Sequence, residues 1–282
     1  MTSVSLSAIL DYRATDEVSA AIAAARDAVD AVLQSPPVFR PGAPRELFDA
    51  RLAAATLHAD AHLEAVDIPA AALAAEMKLS SALGERLRAI AALQSRIATD
   101  AQALLQSPPR VLAAWHLRAT AAMDLPAERR GQPRAASEEP DDPLNAGLPD
   151  CDPATAVSVI MSLLSENPRA LAPIAQAALV HLALLTGAPF AAANGALGRA
   201  AAHAVLMARG TDPNGRIAIT CALSHMGRPA YVRALRDAAS MTGDALDAWV
   251  MWWCDAVIAG ARYSTSLMSE VALEIDAQQA ST

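Results

Sequence analysis

A short run in the second half of the chain carries residue types and spacings that could bind a phosphate. It reads Ala188-Pro189-Phe190-Ala191-Ala192-Ala193-Asn194-Gly195-Ala196-Leu197-Gly198-Arg199. Asn194-Gly195 predicts a turn into a helix, and the first N–H groups of a helix bind anions because they are unpaired and the helix dipole is positive there. The Arg199 guanidinium would add bidentate recognition of a phosphate or a carboxylate. The run therefore predicts an anion site at a helix start, with a plain turn between two core helices as the alternative.

The elements that must hold this run are predicted to be helical. Hydrophobic residues make up 54% of the 282 residues, alanine dominates them, and aromatic residues are only 4%. Alanine is the best helix former because it loses no side-chain entropy in a helix. The sequence therefore predicts an all-α protein, long enough for one large domain or two small ones.

Apolar spacing and capping signals place the helices along the chain. The predicted ranges are 15–33, 45–62, 69–83, 86–105, 110–122, 154–164, 168–186, 195–209, 228–242 and 244–275. Gly84 is expected to end the third helix, and the last range to be two helices or a bent one. Residues 125–153 hold six prolines and charges of both signs. Such a segment predicts a long exposed loop, in which the acidic run 138–142 is solvated or binds a basic partner or a cation.

Charge and cysteine usage narrow the class of protein. The formal net charge is −8, which argues against a general nucleic-acid binder. Cys151, Cys221 and Cys254 lie far apart without metal-binding spacing, and no signal-peptide pattern opens the sequence, so a cytoplasmic location is expected. Residues 170–198 carry no charge, but their alanine-rich composition predicts a buried core helix and a loop rather than a membrane span.

The run at 188–199 resembles the motif of the Fic (Fido) family, H-P-F-x-[D/E]-G-N-G-R-x-x-R. The residues that match are Pro189, Phe190, Asn194, Gly195 and Arg199. His181 lies seven residues before the motif, where the family often has a histidine on the preceding helix. The resemblance implies an all-α, Fic-like helical bundle, in which the motif joins two central helices and a short β-hairpin flap forms in the proline-rich segment. It also implies that a nucleotide, usually ATP with Mg²⁺, donates AMP to a protein hydroxyl.

Flanking segments are similar to the family in the same order. They are 111–117 with His116, 131–134 with Gly131 and Arg134, 231–235, and 242–253. The resemblance thus implies an N-terminal helical region over 1–103, a Fic-like domain over 104–262 and a C-terminal tail or helix end over 263–282. Within 60–65, Glu64 stands in the place of the family's inhibitory glutamate.

Four alanines replace the chemistry that the motif carries. Ala188 stands where the family has its general base, and a methyl group cannot accept a proton. Ala192 replaces the Mg²⁺ ligand, Ala193 replaces the glycine of the anion nest and Ala196 replaces the first arginine. Removing one acid–base or electrostatic group commonly costs ~10²–10⁴ in rate, so no ordinary AMP transfer is expected.

The remaining residues keep reduced roles. Residual or vestigial nucleotide binding is assigned to Asn194, Gly195, Gly198 and Arg199, and the motif scaffold to Pro189 and Phe190. His181 and His203 are predicted to support the site from the core, with a displaced base as the alternative. Arg199 is expected to pair either with a phosphate or with a carboxylate such as Glu64. No catalytic residue and no metal ligand is predicted.

Three functions follow from this sequence. The first is a Fic-like pseudoenzyme that binds a protein partner through residues 125–153, or a residual nucleotide. The second is a divergent nucleotidyl or phosphoryl transferase with ATP or another nucleotide and Mg²⁺. The third is an unrelated helical interaction protein with a chance motif match. Binding to nucleic acid or to a membrane is not expected.

Overall fold

The computed structural model describes residues 6–35, 42–144, 148, 151–165 and 171–280. In these ranges the chain forms eleven α-helices and three short 3₁₀ segments, which confirms the all-α prediction. The helices are α1 (Asp16–Leu33), α2 (Ala43–Leu63), α3 (Leu73–Glu76), α4 (Ala82–Gln106), α5 (Pro108–Ala119), α6 (Pro153–Ser165), α7 (Pro173–Gly187), α8 (Asn194–Ala208), α9 (Ile219–Met226), α10 (Arg228–Ala238) and α11 (Gly243–Ala280).

Several helices begin where the sequence carries a start signal. The Thr15 side chain accepts a hydrogen bond from the Val18 amide at 3.4 Å and caps α1. Pro108 and Pro173 occupy the first turns of α5 and α7, where a missing N–H costs no helical hydrogen bond. The predicted positions of these helices are therefore confirmed to within a few residues at their starts.

Three expectations about the helices are wrong. Gly84 does not end a helix: its amide donates to the Ser81 side chain at 2.9 Å, so it lies in the first turn of α4. The range 69–83 is not one helix but a 3₁₀ segment followed by α3. The last predicted range is not two helices but a single helix of 38 residues, because no proline interrupts it, and the alternative of a bent helix stays a prediction.

The core is built around α7 and α8. No charged residue occurs in α7, and its side chains from Ile174 to Thr186 are all buried. On α7 pack α8, α6 and α11, while α4 crosses α8 and α1 packs on α11. The uncharged stretch is thus a core helix and a loop as predicted. In the described part of the chain, no helix has both the length and the apolar character that a membrane crossing requires.

The division into regions 1–103, 104–262 and 263–282 stays a prediction. Helix α4 continues across the first boundary and α11 across the second. One large apolar cluster contains buried residues from all three ranges, from Leu6 to Val271, and a second, smaller cluster lies within 57–90.

The proline-rich segment lies along the loop between α7 and α8. It contains a 3₁₀ turn, Ala127–Arg129, and one isolated parallel bridge between Asp141 and Ala192. Residues 125–144 form no hairpin. The rest of the expected flap falls partly on 145–147 and 149–150, which lie outside the described residues.

Candidate anion site at the start of α8

The loop from 188 to 193 is closed by the Asn194 side chain. Its Oδ1 accepts from the Phe190 amide at 3.0 Å, and its Nδ2 donates to the Phe190 carbonyl at 2.9 Å. Ala188 and Ala193 adopt left-handed backbone conformations, with φ of 36° and 62°. Asn194 was assigned to nucleotide binding, but its side chain is fully used in shaping the loop.

The motif scaffold is held from the flanking segments. Phe190 stacks on His116 with ring centroids 4.5 Å apart, and His116 Nδ1 accepts from the Gly131 amide at 2.8 Å. Burial lowers the pKa of His116 to about 4, so the ring stays neutral and able to accept. The Pro189 carbonyl accepts from the Arg134 amide at 2.8 Å. Two of the four flanking segments that resemble the family, 111–117 and 131–134, therefore meet on this loop.

The Arg134 side chain attaches the proline-rich segment to the end of α7. Among the carbonyls to which its guanidinium donates are those of Ala188 at 2.8 Å, Glu138 at 2.5 Å and Cys151 at 2.8 Å. Because Arg134 is buried, these charge-assisted bonds replace its hydration.

Arg199 is buried in a double ion pair. Its Nε donates to Asp60 Oδ1 at 2.6 Å and its Nη2 to Glu64 Oε1 at 2.7 Å, while its side chain is only 1% exposed. Burial opposes the charge, but the two carboxylates outweigh it, so the pKa of Arg199 is raised. Gln94 donates to the second oxygen of Asp60. Arg199 was expected to pair with a phosphate or with a carboxylate such as Glu64, and in the structure it pairs with the carboxylate.

Asp142 lies on the start of α8, which the sequence analysis did not foresee. Its Oδ2 accepts from the Gly195 amide at 2.8 Å and its Oδ1 from the Leu144 amide at 3.0 Å. The expectation of a solvated acidic run is wrong at this residue, because the bridge at Asp141 carries the next side chain into the core. Burial and the Glu64 carboxylate raise the pKa of Asp142 to about 7.

The two glycines assigned to the nucleotide lie on different sides of α8. A Cβ on Gly195 would be 3.0 Å from Glu64 Oε1, so Gly195 borders the site. A Cβ on Gly198 would be 2.8 Å from His181 Cδ2, so Gly198 faces α7 instead. The structure therefore gives Gly198 a packing role.

The two candidate histidines are held in the core behind Arg199. His181 Nε2 hydrogen-bonds the Tyr231 hydroxyl, and burial together with Arg199 lowers its pKa. His203 Nε2 lies 3.1 Å from Thr220 Oγ1, and burial lowers its pKa as well. Among the described residues, neither ring hydrogen-bonds the loop from 188 to 193.

Room at the site differs between its two sides: a cavity of about 480 Å³ opens on the Asp60 side, where Asp60, Arg199 and His203 line it, and little room is left on the Glu64 side. A cavity of only about 10 Å³ remains beside Glu64, Arg86, Ala193 and Ala196, which is at the lower limit for one water molecule. Within the described ranges, no group of three His, Cys, Asp or Glu side chains is arranged to hold a metal ion. In this conformation, the carboxyl groups of Asp60, Glu64 and Asp142 accept the hydrogen bonds of Arg199 and of the Gly195 amide.

Comparison with known proteins identifies the fold. Neither a protein-family model nor a curated protein sequence matches the chain. Among solved structures, a Fic family protein from Desulfovibrio desulfuricans is 17% identical with a TM-score of 0.67, over 90% of this chain and 76% of that one.

Two further structures agree. Fic-1 from C. elegans is 15% identical with a TM-score of 0.65, over 90% of this chain and 73% of that one. A Fic domain containing signaling protein from Bacteroides thetaiotaomicron is 14% identical with a TM-score of 0.64, over 89% and 97%. At such identities the likeness concerns the fold, and on that basis this chain has the fold of Fic-family proteins.

Proposed function

We propose that this Fic-fold protein no longer transfers AMP and acts by binding a protein partner through the exposed part of residues 125–153. One observation carries the proposal: carboxyl groups of the chain itself occupy the anion site. Asp60 and Glu64 hold Arg199, and Asp142 holds the first free amide of α8.

The residues present do not fit a nucleotide with Mg²⁺. Ala192 offers no carboxylate to a metal ion, and Ala188 offers no base. The cavity of about 10 Å³ beside Ala193 cannot hold a phosphate group, and the larger cavity of about 480 Å³ on the Asp60 side of Arg199 is lined by none of residues 188–193. Nucleotide binding against the loop 188–193 would therefore require the carboxylates to move.

In this proposal Glu64 acts like the inhibitory glutamate of the family resemblance. It caps the end of α2, and its pairing with Arg199 takes up the one retained guanidinium that could hold a phosphate. Glu64 thus keeps the site closed to nucleotides even where the loop geometry is preserved.

The proposed partner surface is the outward side of the proline-rich segment. Ser137, Glu139 and Asp141 are exposed there, while Arg129 and Glu138 are ion-paired. Because two free carboxylates point outward, we expect a partner with a basic contact surface. The buried anchors Arg134 and Asp142 would present this surface in one conformation.

The loss of transfer is tested with ATP labelled in its AMP portion. We expect no label on the protein itself or on lysate proteins, either from the wild type or from Glu64→Ala, which frees one side of Arg199. Transfer by either form would overturn the pseudoenzyme proposal, because it would require a base that the site lacks.

Partner binding is tested with a photo-crosslinking residue at position 137, and with one at the exposed position 26 on α1 as the matched control. A partner crosslinked from 137 but not from 26 should then bind the purified protein more weakly after Glu139→Lys and Asp141→Lys. An affinity unchanged by this charge reversal would contradict the proposed surface.

A divergent transferase is the second candidate, and the retained Arg199 favours it. A base would have to come from His181 or His203, which are engaged with Tyr231 and Thr220. Label transfer that Arg199→Lys abolishes would support this candidate. The third alternative, an unrelated helical protein, receives no support from the fold, since α7, α8 and their loop form the expected two-helix core.

A further inference from the structure

The Asp142 carboxylate occupies the position in which a helix start would hold an external anion. It accepts from the Gly195 amide at 2.8 Å, in the first turn of α8, and it is only 6% exposed. An anion at this point interacts favourably with the unpaired amides and the helix dipole. The chain therefore fills this position with one of its own side chains.

A second hydrogen-bond donor, Arg199 Nη1, points towards the start of α8. Arg199 Nη1 is buried and makes no hydrogen bond, although Nε and Nη2 are both paired. A Cβ built on Gly195 would lie 3.4 Å from this atom, so Nη1 points at the start of α8. The Gly195 amide and Arg199 Nη1 together form a site that a larger anion could fill more completely than one carboxylate does.

Two backbone hydrogen bonds and the Arg134 side chain attach the segment that brings Asp142 here. Its backbone donates from Arg134 to Pro189 at 2.8 Å and from Asp141 to Ala191 at 2.7 Å. Leu144 is fully buried beside Gly195. Since residues 130–144 contain no helix, this segment can detach while α7 and α8 stay packed.

The charges around Asp142 oppose full ionisation. Asp142 faces Glu64 from α2 and Arg199 from α8, with Asp60 behind Arg199 and the Tyr231 hydroxyl of α10 also within electrostatic range. One guanidinium thus meets three carboxylates. Burial and Glu64 raise the pKa of Asp142 to about 7 from an ordinary value of 3.8, which the detached segment would regain in water. The attached state therefore binds a proton more tightly, and raising the pH from about 4 to about 7 weakens the attachment.

We propose that residues 134–144 are a latch in which the Asp142 side chain, neutral while attached, occupies the position of an external anion and closes the site at the start of α8, and that this latch opens as Asp142 ionises with rising pH. The inference rests on the proposed function, because it explains how a site without transfer chemistry is kept closed. It adds that the closure is reversible.

The opening is tested by amide hydrogen exchange at Gly195 and Leu144, whose N–H groups donate to Asp142. Protection factors, corrected for intrinsic rates, are measured from pH 5 to pH 8 in the wild type and in Asp142→Asn, which keeps an acceptor oxygen without the charge. We expect opening to increase by ~10-fold per pH unit up to about pH 7 in the wild type and to stay flat in Asp142→Asn. Equal pH dependence in the two proteins overturns the latch. Amides of α9 report any global unfolding.

The anion role is tested by calorimetric titration with inorganic triphosphate at pH 7. Asp142→Ala should bind it at least ~10-fold more tightly than the wild type, because a competing internal side chain is gone, whereas Ser137→Ala should match the wild type. If Asp142→Ala loses protection at Gly195 but binds no more triphosphate, the Asp142 side chain does not occupy the position of an anion and the proposal fails. Label transfer from ATP would instead overturn the proposed function and leave the latch intact.

Discussion

Ala193 adopts a backbone conformation that glycine adopts more easily. Its φ of 62° and ψ of 18° lie in the left-handed region, where a Cβ approaches the following carbonyl oxygen. The family resemblance has glycine at this position. The loop before α8 therefore keeps its shape in spite of its sequence, since the Asn194 side chain and the packed core impose it.

Replacing Ala193 by glycine should stabilise the protein. Relief of the left-handed strain should raise the free energy of unfolding by about 0.5–1 kcal/mol, even after the loss of one methyl group. The matched control is Ala92→Gly, at an exposed position inside α4, which should lower it by about 1 kcal/mol. Urea unfolding of both variants measures these changes in the free energy of unfolding. Equal losses would show that Ala193 is not strained.

Asn194→Asp tests whether the loop depends on both ends of the amide. Aspartate can still accept from the Phe190 amide, but it has no donor for the Phe190 carbonyl, and the position is fully buried. We expect a loss of about 1–3 kcal/mol in the free energy of unfolding. A variant as stable as the wild type would mean that the carbonyl finds water in the loop.

At the scale of elements, the close approach of α7 and α8 depends on a missing side chain. Gly198 leaves room for the His181 ring, which in turn packs among Tyr231, Trp249 and Trp253. Tyr231, Trp249 and Trp253 of α10 and α11 are thus part of the core. His181 is fixed by this packing, which makes it a poor replacement for the base.

Gly198→Ala should therefore destabilise the protein although alanine favours helices. The added Cβ would lie 2.8 Å from His181 Cδ2, and overpacking of this kind costs about 1–3 kcal/mol against about 1 kcal/mol of helix propensity. Gly243→Ala is the control, because nothing lies within 4 Å of its added Cβ. Denaturant unfolding should show a loss for the first variant and none for the second. A gain in both would contradict the close helix approach.

The elements were largely predictable, and the exceptions have local causes. Helices with a cap or a proline in their first turn, such as α1 and α7, followed from the sequence. Helix α9 did not, because its eight residues carry no cap and too few turns to show a period. The sequence predicts a helix end at Gly84, since glycine commonly ends helices. In the structure Gly84 lies in the first turn of α4 because the Ser81 side chain caps that helix.

At the scale of the molecule, Arg199 joins residues that are far apart in sequence. Its partners come from the end of α2, and Asp142 comes from the segment between α5 and α6. The pairing of Arg199 with Glu64 followed from the family resemblance as one alternative. Asp142 could not be predicted, because an acidic run in a proline-rich segment has the same pattern whether it is solvated or folded onto a helix start.

Removing the Arg199 charge should lower the free energy of unfolding of the protein. Arg199→Met leaves three buried carboxylates without a cation, which should cost about 3–5 kcal/mol. Burial and Glu64 already raise the pKa of Asp142, and the variant removes the Arg199 charge that opposes this shift, so the loss should be greater at pH 8 than at pH 5. Thermal unfolding at both pH values checks this.

The triple variant Asp60→Asn/Glu64→Gln/Arg199→Met separates charge from packing. It removes two carboxylates together with the guanidinium, so most of the stability lost in Arg199→Met should return and the pH dependence should shrink. A triple variant as unstable as Arg199→Met would show that the shape of the arginine, rather than its charge, matters.

The packing of α1 on α11 has a consequence for synthesis of the protein. Val18, Ala25, Val29 and Val32 of α1 are buried in the finished fold. During translation α1 leaves the ribosome roughly 250 residues before α11 is complete, a delay of about 10–50 s at ordinary elongation rates. Through that interval its apolar face has no native partner from α11. Nascent chains stalled before α11 should therefore engage chaperones through α1, and completion of α11 should release them.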